Sequence, residues 1–519
     1  MSKRNWCIVL IAIVMLVFLA GCSTSSSGTS DGKEKNELRV ALSANPPTLD
    51  LHRTTASVSQ QIAFHMFESL VTLDKDYKVV PMLAEKIEIS PDEKTITFPL
   101  RKDVTFHNGK VLNAEDVVAS INRWRKFSSA GRSTLSQAMV SAKDEHTAVI
   151  TLPQPSSAVL PALANTSQGC VIMPKEVIEE AGDNNVTQYV GTGPFQFGEW
   201  KQDQYIHLKK FANYKPLPGE PNGMAGKHEA LVDDLYFIPV ADAATRVAGI
   251  QSGEYDVADD IPYDNYDILK NDSNLVLTVA KPFCENIIIF NTKSEVFSNV
   301  KVRQAVNAAL DLDAIMKAAT GNPDFYEIDP GLMFKEQAWY VDIGKDKYNQ
   351  KNLALAKKLL DEAGYNGQPV KLQVTRDYEY LYKSAVVVKD QLEKIGMKVD
   401  LEVYDWPTLL SKRKDEKAWD MSMTFLTIFV EPTQTLYLDS RFNWGGWYHN
   451  PEMDKLLDEI RATNDFDKAK KIFEQVQSLS LDDAPIAKLG NMHGLIAQRK
   501  YVKGFHFFKI LSLTNVSVK

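Results

Sequence analysis

The stretch from Phe67 to Trp124 alternates, turns and alternates again, and it constrains the fold more than any other. Leu70 and Thr72 alternate with Val71 and Leu73 until Asp74-Lys-Asp breaks the run as a turn. A second run, VVPMLAEKIEIS, ends at Ser90-Pro91-Asp92. Thr95, Thr97 and Pro99 then alternate with Ile96, Phe98 and Leu100, the period of a strand with one buried face. Asn108-Gly109 marks a tight turn. Asn113, with Asp116 three residues on, predicts a capped helix through VVASINRW. These residues contain no nucleophile elbow, phosphate loop or metal-ligand spacing.

The amino terminus reads as an address rather than as fold. Lys3 and Arg4 precede the apolar run CIVLIAIVMLVFLA, and Leu19-Ala-Gly-Cys22 sets small residues before a cysteine. The run is short for a membrane span, so a cleaved signal over residues 1–21 is expected rather than an anchor helix. The Leu19–Cys22 segment resembles the lipobox of bacterial lipoproteins, which implies lipidation at Cys22 and work at the outer face of a membrane. Residues 22–36 carry nothing that could pack and read as a flexible tether.

The remaining residues, about 480, exceed what one core holds, so two or three lobes are expected. The composition, 44% hydrophobic and 24% charged, is that of a soluble globular protein. The formal charge of −8 becomes −10 once Lys3 and Arg4 leave, with 57 basic against 67 acidic residues. That acidity excludes the basic footprint of a nucleic-acid binder. With Cys7 removed in the signal and Cys22 taken up by the lipid, Cys170 and Cys284 remain. A disulfide is allowed outside the cytoplasm, and two buried free thiols are the expected state.

Further along, the periods predict both strands and helices. Leu38–Ala44 reads as a first strand and Gln60–Glu68 as a helix, with Asp50 capping or turning the chain between them. Asn286–Asn291 reads as a buried strand and Val300–Leu310 as a helix burying Val302, Ala305, Val306 and Ala309. Leu353–Ala363 has Asn352 as N-cap and Gly364 beyond its end. Val370–Thr375, Tyr378–Lys394 and Met397–Tyr404 predict strand, helix and strand, a crossover in a parallel sheet. Pro485–Leu489 and Gly494–Ala497 read as two separate strands.

No HExxH, GxSxG or paired histidine spacing is present, so neither an enzyme nor a metal or cofactor site is expected. Adjacent acids such as Asp259-Asp260 read as solvated loop residues, and a secreted hydrolase is the weaker alternative.

Several ordered segments carry a resemblance. They are Pro81-Met-Leu-Ala-Glu, Leu100-Arg101-Lys-Asp-Val, Phe106-His-Asn-Gly109, Ala114-Glu-Asp-Val117, Gly191-Thr-Gly-Pro and NTK…VRQAVNAALD. Together they resemble the solute-binding lipoproteins of peptide-type ABC importers, the oligopeptide-, dipeptide- and nickel-binding proteins. Thr48-Leu-Asp50 and His52 fit that pattern with Leu51 in place of its usual Pro. The resemblance implies an α/β, periplasmic-binding-protein-like fold of two hinged lobes plus an additional domain. Domain I would take 37–67, 191–280 and 490–519, domain II 68–190, and domain III 281–489. It implies a monomer that holds a small solute, most simply a short peptide, and delivers it to a permease and ATPase. A nickel-chelate or haem receptor is the alternative within the same family.

Ligands of open α/β sheets bind beyond the strand ends. That singles out Arg376 after KLQVT, Glu431 after MSMTFLTIFV, and the aromatic residues Trp406, Trp444, Trp447 and Tyr448. Arg376 stands where dipeptide-binding members place an Arg for the ligand carboxylate. Glu431 stands where they have an Asp before Pro for the amine.

Overall fold

A computed structural model describes residues 36–519, apart from Asn464 and the side chain of Pro407. The signal, Cys22 and all of the tether but Asn36 lie outside the described residues.

An eleven-stranded mixed sheet runs through the molecule. In spatial order its path is Lys398–Tyr404, Pro369–Thr375, Met421–Thr427, Leu275–Phe290, Ile486–Arg499, Val257–Ala258, Glu37–Leu42, Asp234–Pro239, Tyr205–Lys210 and Phe195–Lys201. Tyr326–Glu327 adds to Ile486–Arg499 off this path. Pro369–Thr375 and Lys398–Tyr404 pair in parallel around the helix Glu379–Glu393, which is the expected crossover. Glu37–Leu42 pairs in parallel with both Asp234–Pro239 and Val257–Ala258.

Two strands are much longer than their periodicity suggests. Leu275–Phe290 has 16 residues and Ile486–Arg499 has 14, and they pair antiparallel with register shifts at Ala280/Cys284 and Asn286/Ile287. The separate strands expected at Pro485–Leu489 and Gly494–Ala497 are therefore one. Gly494 does not end a strand: a Cβ there would lie 2.9 Å from the Phe283 ring, so it marks a close approach. One half of this ribbon packs in the core with Leu38, Val40, Leu235, Leu511 and Val516. The other half is sandwiched between two further cores, one built on Val302, Ala385 and Leu392 and one on Met453, Leu457 and Phe473.

The opening stretch forms its own unit. Glu88–Ile89, Thr95–Pro99, Thr147–Thr151 and Met139–Asp144 make a four-stranded antiparallel sheet covered by the helix Ala114–Phe127. Asn113 and Asp116 make the expected capping box. Trp124, Phe98 and Phe106 fill the core, which excludes water almost completely. The chain crosses into this unit at residues 65–69 and returns at 190–195. The crossings touch: Gly193 and Phe195 N–H donate to Met66 and His65 carbonyls at 2.8 and 3.1 Å. A Cβ on Gly191 would sit 2.1 Å from the Met66 carbonyl oxygen, so only glycine fits where one backbone lies on the other.

Helix Ser57–Ala63 is shorter than expected and is not capped by Asp50. Asp50 instead accepts from both Arg123 guanidinium nitrogens. Cys170 and Cys284 are free and buried.

Candidate ligand-binding site

The structure divides the six expected binding residues. Arg376, Trp406 and Glu431 lie at the carboxyl ends of parallel strands, as expected from where each strand stops. Trp444, Trp447 and Tyr448 lie at the opposite end. Gly446 O accepts from Thr292 N–H and Oγ1 at 2.9 Å each, and Trp447 packs on Trp419, just ahead of Met421. The strand Met421–Thr427 separates the two groups by about 20 Å, at ~3.3 Å per residue. There Trp444, Trp447 and Tyr448 line a cavity of about 310 Å³ with Lys293 and Pro485. Tyr448 donates to Asp483, and Arg413 stacks over Trp444.

Arg376 is exposed at the turn after its strand. It donates to Tyr382 Oη at 2.9 Å and stacks over that ring, with no carboxylate in salt-bridge contact among the described residues. Trp406 opens the helix Trp406–Lys412 and stacks on Phe425 with centroids 5.7 Å apart. Tyr378 meets Trp406 and Phe425 edge-on, and Tyr380 closes the group. Such a wall suits apolar or cationic groups of varied shape.

Glu431 is buried and turned inward. Its carboxylate accepts from Thr433 N–H at 3.0 Å and from Thr433 Oγ1, capping the turn Pro432–Gln434. Burial pushes its pKa up against the pull of Thr433 and Arg461. Its oxygens are thus committed to the chain's own backbone and hydroxyl.

Asp259 and Asp260, expected to be solvated, are half-buried beyond the end of Val257–Ala258. Asp260 lies 3.5 Å from Arg246, whereas Asp259 has no cation of the described residues in salt-bridge contact. Burial and the Asp260 charge push Asp259 up to about 7. Both charges are felt by the Tyr378 hydroxyl, which places these acids near the aromatic wall.

Further residues escape a reading by strand ends. Asn491 pairs in register with Glu285 across the long ribbon, and His493 follows on the same face. The amide nitrogen and oxygen of Asn491, Nε2 of His493, Oη of Tyr437, Nε2 of Gln434 and Oγ1 of Thr435 have no partner among the described residues. All five residues are at most 6% exposed. Buried polar atoms are satisfied in the great majority of cases, so this concentration points to a place where something else supplies the partners. The sequence signal was available: polar residues inside GNMHGLIAQR, a strand buried on both faces.

The lobes meet over this region. Ser157 N–H donates to Arg461 O at 2.8 Å, and Ser157 Oγ to Ile460 O at 3.0 Å, closing the carboxyl end of helix Pro451–Arg461. Tyr77 packs on Phe508 with the rings tilted and their centroids 5.0 Å apart, and Lys509 Nζ donates to Ile428 O at 2.7 Å. Among the described residues no group of three or more His, Cys, Asp or Glu is placed to hold a metal, and no helix is long and apolar enough to cross a membrane.

Residues 78–446 match the profile of the bacterial extracellular solute-binding proteins, family 5. The chain belongs to that family. It is 29% identical to the probable peptide ABC transporter periplasmic-binding protein y4tO of Sinorhizobium fredii, over 87% of this chain and 88% of the relative. Among solved structures it resembles the binding protein AgaA of A. tumefaciens R10 in complex with agropinic acid. The TM-score there is 0.80, with 28% identity over 93% of this chain and 99% of the other. It also resembles the oligopeptide-binding protein AppA of Bacillus subtilis in complex with a nonapeptide. Here the TM-score is 0.78, with 25% identity over 91% and 96%. These relatives are solute-binding proteins rather than enzymes. A member of this family binds a small solute outside the cytoplasm and works with an ABC transporter.

Proposed function

We propose that this protein is a lipid-anchored, monomeric receptor that closes its lobes on a short peptide and presents it to the permease and ATPase of an importer. One observation carries the peptide reading: the unpartnered polar atoms of Asn491, His493, Tyr437, Gln434 and Thr435. A peptide offers an N–H and a C=O at every residue, and the Asn491 amide has its donor and its acceptor both free. An apolar solute would leave these groups buried and unpaired, at about 1–3 kcal/mol each. Arg376, with no acid of its own, suits the terminal carboxylate through its planar fork, and Trp406 with Phe425 and Tyr378 supplies a sequence-tolerant wall. The names of y4tO and of the AppA complex lie in the same direction.

Native mass spectrometry of the protein purified from its own cells tests the reading. A peptide mass is expected to co-purify and to be exchanged by added peptides. A retained solute with no peptide bond, not displaced by peptides, would sink it.

A further inference from the structure

Three basic side chains of the elements around the unpartnered polar groups already have acids. Arg246 lies 3.5 Å from Asp260, Lys488 lies 3.5 Å from Glu285, and Lys281 lies 4.0 Å from Glu336. Lys509 is the exception. It sits at the tip of the hairpin His506–Phe508 and Ile510–Ser512, in the left-handed backbone region with φ of 57°. That conformation is unfavourable for a residue bearing a Cβ and persists only where the surroundings hold it. Here they do: Phe508 packs on Tyr77 from the four-stranded unit, and Phe507 packs on Phe283 from the long ribbon. The ammonium donates to Ile428 O, in the loop that goes on to Gln434, Thr435 and Tyr437 with their unpartnered atoms. No carboxylate of the described residues lies in salt-bridge contact with it.

We propose that Lys509 is the counter-charge for an acidic side-chain group of the bound solute, so that this receptor selects acidic peptides. The proposal rests on the peptide reading above and deepens it: Arg376 takes the terminal carboxylate, and Lys509 takes a second one. Arg376 and Ile428 follow adjacent parallel strands, which brings the two cations to one end of the sheet. A neutral peptide would cover the half-buried Lys509 ammonium and leave it with the Ile428 carbonyl but no opposite charge, an arrangement proteins avoid at considerable cost. Burial alone already presses the Lys509 pKa down to about 7, which is the expected response of an ammonium that the protein does not neutralise. An arriving carboxylate reverses that pressure.

Calorimetric titration of the detergent-solubilised full-length protein decides the matter. The probes are tripeptide pools with Glu at one position, the same pools with Gln, and non-peptide dicarboxylates. The proteins are wild type, Lys509→Met and Lys509→Arg, each first checked for an unchanged thermal midpoint. Wild type is expected to prefer Glu over Gln pools roughly 30-fold or more, Lys509→Met to lose that preference, and Lys509→Arg to retain most of it. Equal binding of Glu and Gln pools by wild type overturns the assignment and leaves the peptide reading standing. So does an unchanged preference in Lys509→Met. Dicarboxylates that bind only when residue 509 is basic, with no peptide bound, overturn the peptide reading while upholding the role of Lys509. Binding of the Gln pools alone overturns the role of Lys509 only, and binding of no probe at all overturns both.

Discussion

Asp50 and Arg123 form a bidentate ion pair, at 2.9 and 2.6 Å, with both side chains buried. The pair joins the loop after the first strand to the helix of the four-stranded unit. Arg123 also donates to Asn184 O, and Asp50 also accepts from Val186 N–H, so each charge is satisfied on several sides. Burial would raise the Asp50 pKa, but Arg123, His52 and the Val186 amide together bring it below the usual carboxylate range.

Asp50→Asn leaves the Arg123 charge buried without its partner and is expected to cost about 3–5 kcal/mol at pH 7. Because the folded pKa is depressed, the stabilisation is fully present above the unfolded value of about 3.9 and is lost as pH falls through the folded one. Denaturant titrations at pH 7 and pH 3 should therefore show the gap between wild type and variant shrinking at pH 3. An equal gap at both would contradict the account.

Asp259 gives the opposite sign. Its folded pKa is raised to about 7, so its contribution is intact below about 3.9 and disappears as pH rises through 7. Asp259→Asn should stabilise the solute-free protein at pH 8, by roughly 1–3 kcal/mol, and leave it unchanged at pH 4. Thermal melts at the two pH values check this; a variant less stable at pH 8 would show that Asp259 has a partner of its own.

Ser157 is the hydroxyl that bridges the two lobes at Ile460. Ser157→Ala should favour the open arrangement by about 0.5–1.5 kcal/mol, weakening solute binding up to roughly tenfold through faster release. Stopped-flow release kinetics would reveal it, and solution scattering should show a smaller radius of gyration on solute addition to wild type. An unaltered release rate would mean that this bond plays no part in closure.

Cys22→Ala should abolish lipid attachment. Metabolic labelling with a palmitate analogue is expected to mark the wild type alone, and label retained by the variant would place the lipid elsewhere.

Local signals were legible wherever one segment decides its own conformation. The capping box of Asn113 and Asp116, the N-cap Asn352 with Gly364, and the crossover around Glu379–Glu393 all formed as their spacing predicts. Reading became unreliable where a residue's role depends on distant chain. Trp444 and Trp447 have the composition of a binding loop, yet spacing does not say at which end of the sheet a returning loop lands. Glu431 looked free because its partner, Thr433, is polar enough to have faced solvent. Gly494 looked like a break because the Phe283 ring that requires it is more than two hundred residues away in sequence. Nothing in the spacing around Lys509 tells it from the other lysines of the chain, because its neighbours Tyr77 and Ile428 are far away in sequence.

The core around Leu38 and Val40 is completed by Ile496, Leu511, Leu513 and Val516, from the other extreme of the chain. A chain threaded through a membrane channel from its amino end thus cannot close this core until its last residues emerge. Contacts of such long range also make folding intrinsically slow. This one core therefore closes last, whereas the core of the four-stranded unit needs no buried residue beyond Val430.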